Sequence, residues 1–392
     1  MKRKSTISGV TLLLLAMWGI RLSLAAQPVF SSSEDYSIGA KIFNVAVADL
    51  DGDGRPDLAV PNYYSNTLTV FYGLPAGGFG ARQDYAAGAL PTSICIGDFG
   101  GDEAPDIAVT QDSAASVKVL YGQSAGGFAA GGDYGAGTNP YVIIAADLNA
   151  DGRPDLAVSN YSQGSITVWD GQVAGGFASR TDYQVGQYPL ALASGDFNGD
   201  TRADLAVARE YDHLVRVLHG QTDGTLAYAQ DYDVGAFPHG LAAGDFNGDG
   251  LTDLAVSNRN DGDLAVLWGL AAGGLGSRQD FAVGGGPDAV VAADFNKDGW
   301  LDLATTSSGD DAVTVLLGGK TTPFTVRQDF PVAAHPQGLA VGDLNGDGWL
   351  DLAVAAWDGE CVTVLYNAAP EPATLALVAL GLGAVLAARR RR

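Results

Sequence analysis

Cysteine is nearly absent: two residues, Cys95 and Cys361, in a chain of 392, with no CxxC spacing between them. A disulfide-built scaffold is therefore excluded, and both are expected to be unpaired. Histidine is almost as rare, with four copies, and no GxSxG, HExxH or paired-glutamate signature accompanies them. No catalytic constellation can be read from the residues, so the expectation is a protein that is not an enzyme. Basic residues are scarce too: 22 Lys and Arg stand against 45 Asp and Glu, a net charge of −23. Contact with a phosphate backbone needs a basic face, so nucleic acid is excluded as a partner. Charged residues of both signs make up only 17% of the chain, while glycine reaches 54 copies. That balance suits short strands and tight turns and suits long helices badly.

Long apolar runs occur only at the two ends. Lys2, Arg3 and Lys4 precede TLLLLAMWGI and then LSLAA. A charged head, a short apolar core and small residues at Ser23 and Ala25 read as a secretory signal peptide over residues 1–25. At the other end, Pro370, Glu371 and Pro372 lead into the uncharged stretch Ala373 to Ala388, closed by Arg389 to Arg392. A short apolar segment with a terminal basic cluster would halt in a membrane with the arginines inside. Residues 370–392 resemble the PEP-CTERM sorting signal of Gram-negative bacteria that make exopolysaccharide. That resemblance implies transient anchoring in the inner membrane, an exosortase-type protease as processing partner, and delivery to the cell surface or beyond. A plain C-terminal anchor is the alternative.

Between the ends the chain repeats itself. A similar acidic stretch opens at Asp49, Asp98, Asp147, Asp196, Asp245, Asp294 and Asp343, and every interval is 49 residues. Pro91, Pro140, Pro189, Pro238, Pro287 and Pro336 keep the same step, as do Asp-aromatic pairs from Asp35-Tyr36 to Asp329-Phe330. Each unit holds four short runs rich in Val, Leu, Ala and aromatics, bounded by Gly, Asp or Asn; in the fourth they are LALASGDF, DLAVARE, LVRVLHG and LAYAQDYDV. Four strands per unit in seven units predict an all-β, seven-bladed propeller of four-stranded antiparallel sheets over residues 27–368. The phase of the repeat adds ring closure. FSSSEDYSIG aligns with the fourth strand of other units, and the seventh unit ends after its third. An N-terminal strand is thus expected to complete the last blade and remove an open sheet edge.

The acidic stretches read DLDGDGRPD, DFGGDEAPD, DLNADGRPD, DFNGDTRAD, DFNGDGLTD, DFNKDGWLD and DLNGDGWLD. Besides the opening aspartate, position 5 is Asp53, Asp102, Asp151, Asp200, Asp249, Asp298 and Asp347. Position 9 is Asp57, Asp106, Asp155, Asp204, Asp253, Asp302 and Asp351. Position 3 is Asp51, then Gly100, then Asn149, Asn198, Asn247, Asn296 and Asn345. Turn chemistry needs one or two such residues, not three aspartates at fixed places in every copy. Alternate side chains of a tight loop can converge, and hard oxygen donors in that number suit Ca²⁺ better than Mg²⁺. Up to seven calcium sites are expected. The second loop is the weakest candidate because it lacks a position-3 donor. The fourth follows, because Thr201 replaces the glycine whose positive φ would allow the sharp turn.

These loops, each ending in Asp and running on into an LAV-like strand, resemble the FG-GAP or VCBS repeat, whose best-known relatives form the integrin α-subunit propeller. The AGGF segments at Phe79, Phe128 and Phe177 add to the likeness, which spans about residues 29–367. It implies a calcium-binding seven-bladed propeller with metal between the first and second strands of a blade. The family spans adhesion proteins, lectins and enzyme accessory domains, so it does not fix a function. In an up-and-down blade the metal loops share one face. The opposite face would carry Tyr63, Tyr64, Tyr161, Tyr211, Arg209, Arg259, Trp357, Asp358, His239 and His335, a set suited to sugar stacking and hydrogen bonding. The expected role is a surface or secreted binding or adhesion module for polysaccharide or an extracellular protein. A polysaccharide lyase or hydrolase working through His213, or a purely structural matrix component, are the alternatives.

Overall fold

The computed structural model describes residues 30–124, 126–320 and 323–368. The expected signal peptide and sorting tail lie outside them. Within them, 28 strands form seven four-stranded antiparallel sheets, each with its strands in sequential order except the last. Blade 1 shows the pattern: an inner strand Ala46–Ala48, a second strand Asp57–Asn62, a third Thr67–Phe71 and an outer one Gln83–Ala86. Among the described residues no helix is long and apolar enough to cross a membrane.

The ring closes as the phase of the repeat predicts. Phe30–Ser37 pairs antiparallel with Cys361–Asn367 of blade 7, from Ser37 opposite Cys361 to Phe30 opposite Asn367. The edge that blade 7 would otherwise expose is covered by the start of the chain.

Burial explains why the second strand reads as a continuous apolar run. DLAV, or its variants DIAV and DLAT, lies with both faces against neighbouring blades, and Asp57–Asn62 is buried at every residue. Outer strands are mostly exposed, and in Phe177–Gln184 only Phe177 and Tyr183 are half-buried. The core is a set of seven wedges between adjacent blades. Val215, Val217 and Tyr232 of blade 4, for example, pack on Leu254, Val256 and Leu267 of blade 5. One wedge joins the two ends of the ring, with Val362 and Val364 of blade 7 against Leu58 and Val60 of blade 1.

Two devices set the loops at either end of each blade. The second residue of every acidic loop (Leu50, Phe99, Leu148, Phe197, Phe246, Phe295, Leu344) is buried in a wedge, which clamps the loop to the core. At the other end the recurring proline opens the inner strand, where its missing N–H costs nothing. In all six blades that carry it, a register shift follows the proline. Such bulges re-aim side chains, and here they bear on the residue just after the proline. Cys95 and Cys361 are both free.

Candidate functional site

Each acidic loop is built by its own carboxylates. In the first six loops the position-1 aspartate accepts the backbone N–H of positions 5 and 6, and in the seventh only that of position 6; in the first loop these are Asp53 N at 3.0 Å from Asp49 Oδ1 and Gly54 N at 2.8 Å from Asp49 Oδ2. The position-3 side chain accepts the position-5 amide, as Asn247 Oδ1 does from Asp249 at 2.8 Å. The position-5 carboxylate accepts the amide of position 7, as Asp249 does from Leu251 at 2.9 Å. Position 6 is left-handed throughout: Gly54, Gly152, Gly250, Gly299 and Gly348 have φ between +82° and +88°, and Glu103 and Thr201 follow at +65° and +71°. The fourth loop therefore keeps the turn without glycine, at a local cost of about 1–2 kcal/mol.

Position 9 has a further task. Asp57 is fully buried and accepts Leu50 N at 2.7 Å on one oxygen and Gly73 N at 2.7 Å on the other. Asp155, Asp204, Asp253, Asp302 and Asp351 repeat both bonds. The partner glycine sits sixteen residues on, where a Cβ on Gly73 would come within 2.6 Å of the Pro56 carbonyl. Burial, reinforced by neighbouring loop carboxylates and opposed by the two amides, pushes Asp57 and Asp155 up to about 6. The same causes push Asp302 and Asp351 up to about 7.

Among the described residues, the first loop gathers acidic oxygens at one point. Asp49, Asp51 and Asp57 each bring a carboxylate oxygen within 4.8 Å of the others. In the seventh loop Asp343 Oδ1 is buried with no hydrogen-bond partner, an acceptor that a cation would satisfy. Asp53 stands aside in an ion pair with Arg55, and Arg153–Asp151 and Arg202–Asp200 repeat that pairing. In the second loop Gly100 offers no side chain and instead donates its N–H to Asp106 at 2.6 Å.

The opposite face differs from blade to blade. Rings follow one another in contact: Trp357 and Phe43 (centroids 4.3 Å apart), Phe43 and Tyr141 (6.0 Å), Tyr141 and Tyr161 (6.0 Å), Tyr161 and Tyr188 (5.1 Å), Tyr188 and Tyr211 (4.8 Å), Tyr211 and Phe237 (5.0 Å). Tyr63 and Tyr64 flank the first pair. Tyr64 is 65% exposed and Tyr211 51%. Beside this arc lies a charged group. His239 bridges Asp288 Oδ1 (Nδ1, 3.0 Å) and Glu210 Oε1 (Nε2, 3.4 Å), and Arg259 Nη1 lies 3.4 Å from the same Asp288 oxygen.

Of the loop residues singled out in the sequence, Tyr63, Tyr64, Tyr161, Tyr211, Trp357, His239 and Arg259 join this surface. Arg209 is held in an ion pair with Asp212, and His335 and Lys41 pair with Asp358. His213, the residue on which a catalytic alternative rested, accepts the Phe237 amide through Nδ1 at 3.2 Å. Phe43, Tyr141, Tyr188, Glu210, Phe237 and Asp288 were not anticipated. Their signal was present: Phe43, Tyr141 and Asp288 occupy the place after the repeat's proline, where no two blades agree.

An FG-GAP-like repeat model matches six overlapping stretches, 49–109, 98–158, 147–207, 196–256, 245–305 and 294–354. A PEP-CTERM protein-sorting motif matches residues 368–392, which implies export and processing by an exosortase. No curated protein sequence matches the chain. Among solved structures it is similar to virginiamycin B lyase from Staphylococcus aureus (13% identity, 85% of this chain and 98% of that one, TM-score 0.59). It is also similar to BBS1N in complex with ARL6DN (14%, 87% and 97%, TM-score 0.62) and to a functionally unknown protein from Desulfotomaculum acetoxidans (12%, 76% and 91%, TM-score 0.54). At these identities the likeness is one of fold alone.

Proposed function

The chain belongs to the FG-GAP-like repeat family, and we propose that it is an exported, calcium-bound propeller that binds polysaccharide on the face opposite its metal loops. The observation that carries the binding role is the run of ring contacts from Trp357 to Phe237. Aromatic faces bury the C–H faces of sugar rings while their hydroxyls stay hydrogen-bonded. An arc crossing several blades would meet several sugar units in a row. The sorting motif supports this reading, because export and envelope-associated sorting would bring such a surface to where polysaccharide is encountered.

Calcium has a structural part in this reading. Bound in the loops, it would neutralise carboxylates that otherwise repel one another. Positions 1, 3, 5 and 9 of each loop would hold it, with the second loop one donor short and with Asp53, Asp151 and Asp200 turning from their arginine partners to do so. The protein is read as a binder and not an enzyme.

The test is a glycan array probed with the mature chain in millimolar calcium, then in EDTA. Binding to one or more extended glycans, weakened by EDTA, is the expected result. Retention of every array glycan at background level would overturn the reading. Shortening of a bound polymer on incubation would replace it with the enzymatic one.

A further inference from the structure

The seven residues at the place after the repeat's proline, which is Ile42 in blade 1, stand 49 apart: Phe43, Thr92, Tyr141, Leu190, His239, Asp288 and Gln337. All seven line one cavity of about 200 Å³ to which every blade contributes, six from an inner strand and blade 1 from Phe43 just ahead of Ala46–Ala48, so it is the mouth of the central channel. Six of the seven blades lack a carboxylate here. Asp288 is the exception, and it is only 5% exposed.

Asp288 is under-used by the protein. Its Oδ2 has no hydrogen-bond donor, and its Oδ1 meets His239 and Arg259 at 3.0 and 3.4 Å outside hydrogen-bond geometry. A buried carboxylate with a free oxygen is costly. The site around it is built: Tyr161 donates to Glu210 at 2.5 Å, and Glu210 in turn meets His239.

Three ligand classes can be weighed. A metal ion is disfavoured because His239 meets Asp288 and Glu210 through opposite ring nitrogens, so no point is shared by all three. An ionic ligand is disfavoured by charge balance. Burial pulls the His239 imidazole down, but Asp288 and then Glu210 outweigh it and hold it above its usual range. Two carboxylates, Asp288 and Glu210, therefore face the Arg259 guanidinium and an imidazole held toward its charged form, which leaves no large excess of either sign. A neutral ligand that both donates and accepts is what remains, and sugar hydroxyls do both. The volume is below the ~300 Å³ usual for drug-sized ligands, so one ring fits and a chain does not.

We infer that the channel mouth is a binding site for a single terminal sugar residue, whose adjacent hydroxyls donate to Asp288 while Tyr141 packs beside the ring. Polysaccharide would then be gripped by its end, with the following units leaving along the aromatic arc. The inference rests on the glycan reading above and sharpens it from chain to chain end.

The experiment is competition. Labelled linear oligosaccharides of glucose, galactose, mannose and N-acetylglucosamine are bound to the full mature chain in calcium, then challenged with the four free monosaccharides. One of the four is expected to displace its oligosaccharide. Asp288→Asn, which keeps shape and removes charge, should weaken that oligosaccharide by about tenfold or more with the melting curve unchanged. Gln337→Trp, which fills the cavity from another blade, should do the same if Asp288→Asn does not fold. Adding the competing monosaccharide should shift the His239 ring resonances. If oligosaccharides bind but no monosaccharide competes and both variants bind as before, the chain-end site is wrong and the arc stands. If no oligosaccharide binds, both readings fall.

Discussion

The two faces of this ring treat the same repeat in opposite ways. On the acidic-loop face, positions 1, 5 and 9 are aspartate in every blade, and the bonds they make are nearly copied from loop to loop. On the channel face, the place after the proline is Phe, Thr, Tyr, Leu, His, Asp and Gln in turn, and the place after the second strand is Tyr63, Asp112, Tyr161, Glu210, Arg259, Ser308 and Trp357. A sevenfold pattern is enough to hold a ring together, because every blade meets the same neighbour in the same way. It cannot by itself recognise an asymmetric ligand. On the proposed function, stability falls to one face and recognition to the other, and each prediction below changes one face and asks whether the other responds.

Removing metal should have the largest effect. If free calcium stands tenfold above its dissociation constant, each site adds ~1.4 kcal/mol and seven add ~10 kcal/mol, comparable to the whole stability of a domain. EDTA should therefore lower the calorimetric melting temperature of the mature chain by tens of degrees, and calcium should restore it. An EDTA melting curve that overlays the calcium curve would leave the loops as ordinary turns.

Next in size is a single carboxylate at position 9. Asp351→Ala leaves the buried amides of Leu344 and Asn367 without their acceptor, at about 1–3 kcal/mol each. The loss should persist in EDTA. Asp347→Ala, which removes one amide acceptor in a solvent-facing loop, should cost little once metal is gone. Equal losses for the two variants in EDTA would mean that position 9 is only a ligand and not also a structural acceptor.

Acidity separates the same groups again. A carboxyl whose folded pKa is raised takes up protons more readily when folded, so folding is favoured at low pH and loses that advantage as pH rises from about 4 to about 7. Asp57, Asp155, Asp302 and Asp351 are such groups. Outer-strand Asp84, Asp182 and Asp329 work the other way: despite burial, their Arg and Thr partners hold them below the usual range. Their contribution is lost only as pH falls below about 4. In EDTA the melting temperature should therefore rise between about pH 7.5 and about pH 5. In calcium it should fall over the same interval, because protons displace the metal. A rise in both conditions would sever the link between these carboxyls and metal.

Much of the ring was legible because repetition amplifies weak signals. One DLAV run is ambiguous, whereas seven at a fixed step are strands, and the phase of FSSSEDYSIG against the last unit foretold the closing strand. What stayed hidden depends on residues far apart in the chain. The aspartate of position 9 and the glycine sixteen residues later were each visible as recurrences, but their bond joins the start of one strand to the end of the next. The channel mouth is assembled from residues 49 apart, one from each blade. Glu210, His239 and Asp288 come from three blades, so no local pattern could unite them. Position 6 shows the reverse error, since Thr201 holds the left-handed turn that seemed to require glycine.

The smallest effect on stability should come from the aromatic arc, and there the contrast between faces is tested most finely. Tyr64 and Tyr211 are largely exposed, and each touches neighbouring rings without closing a wedge of the core. Replacing either by alanine should change stability by no more than ~0.5 kcal/mol and leave the calcium titration as it was. The ring contacts place Tyr64 on one side of the Phe43–Tyr141 pair at the channel mouth and Tyr211 on the other, so a chain held by its end leaves over one of them and not both. One of the two replacements should therefore weaken polysaccharide binding by roughly fivefold, the loss of one ring contact of about 1 kcal/mol, and the other should leave it unchanged. Shortening the oligosaccharide unit by unit should remove the sensitivity to the residue that matters. If both replacements weaken binding alike at every length, the arc is a single patch and not a track, and variation on that face has no direction.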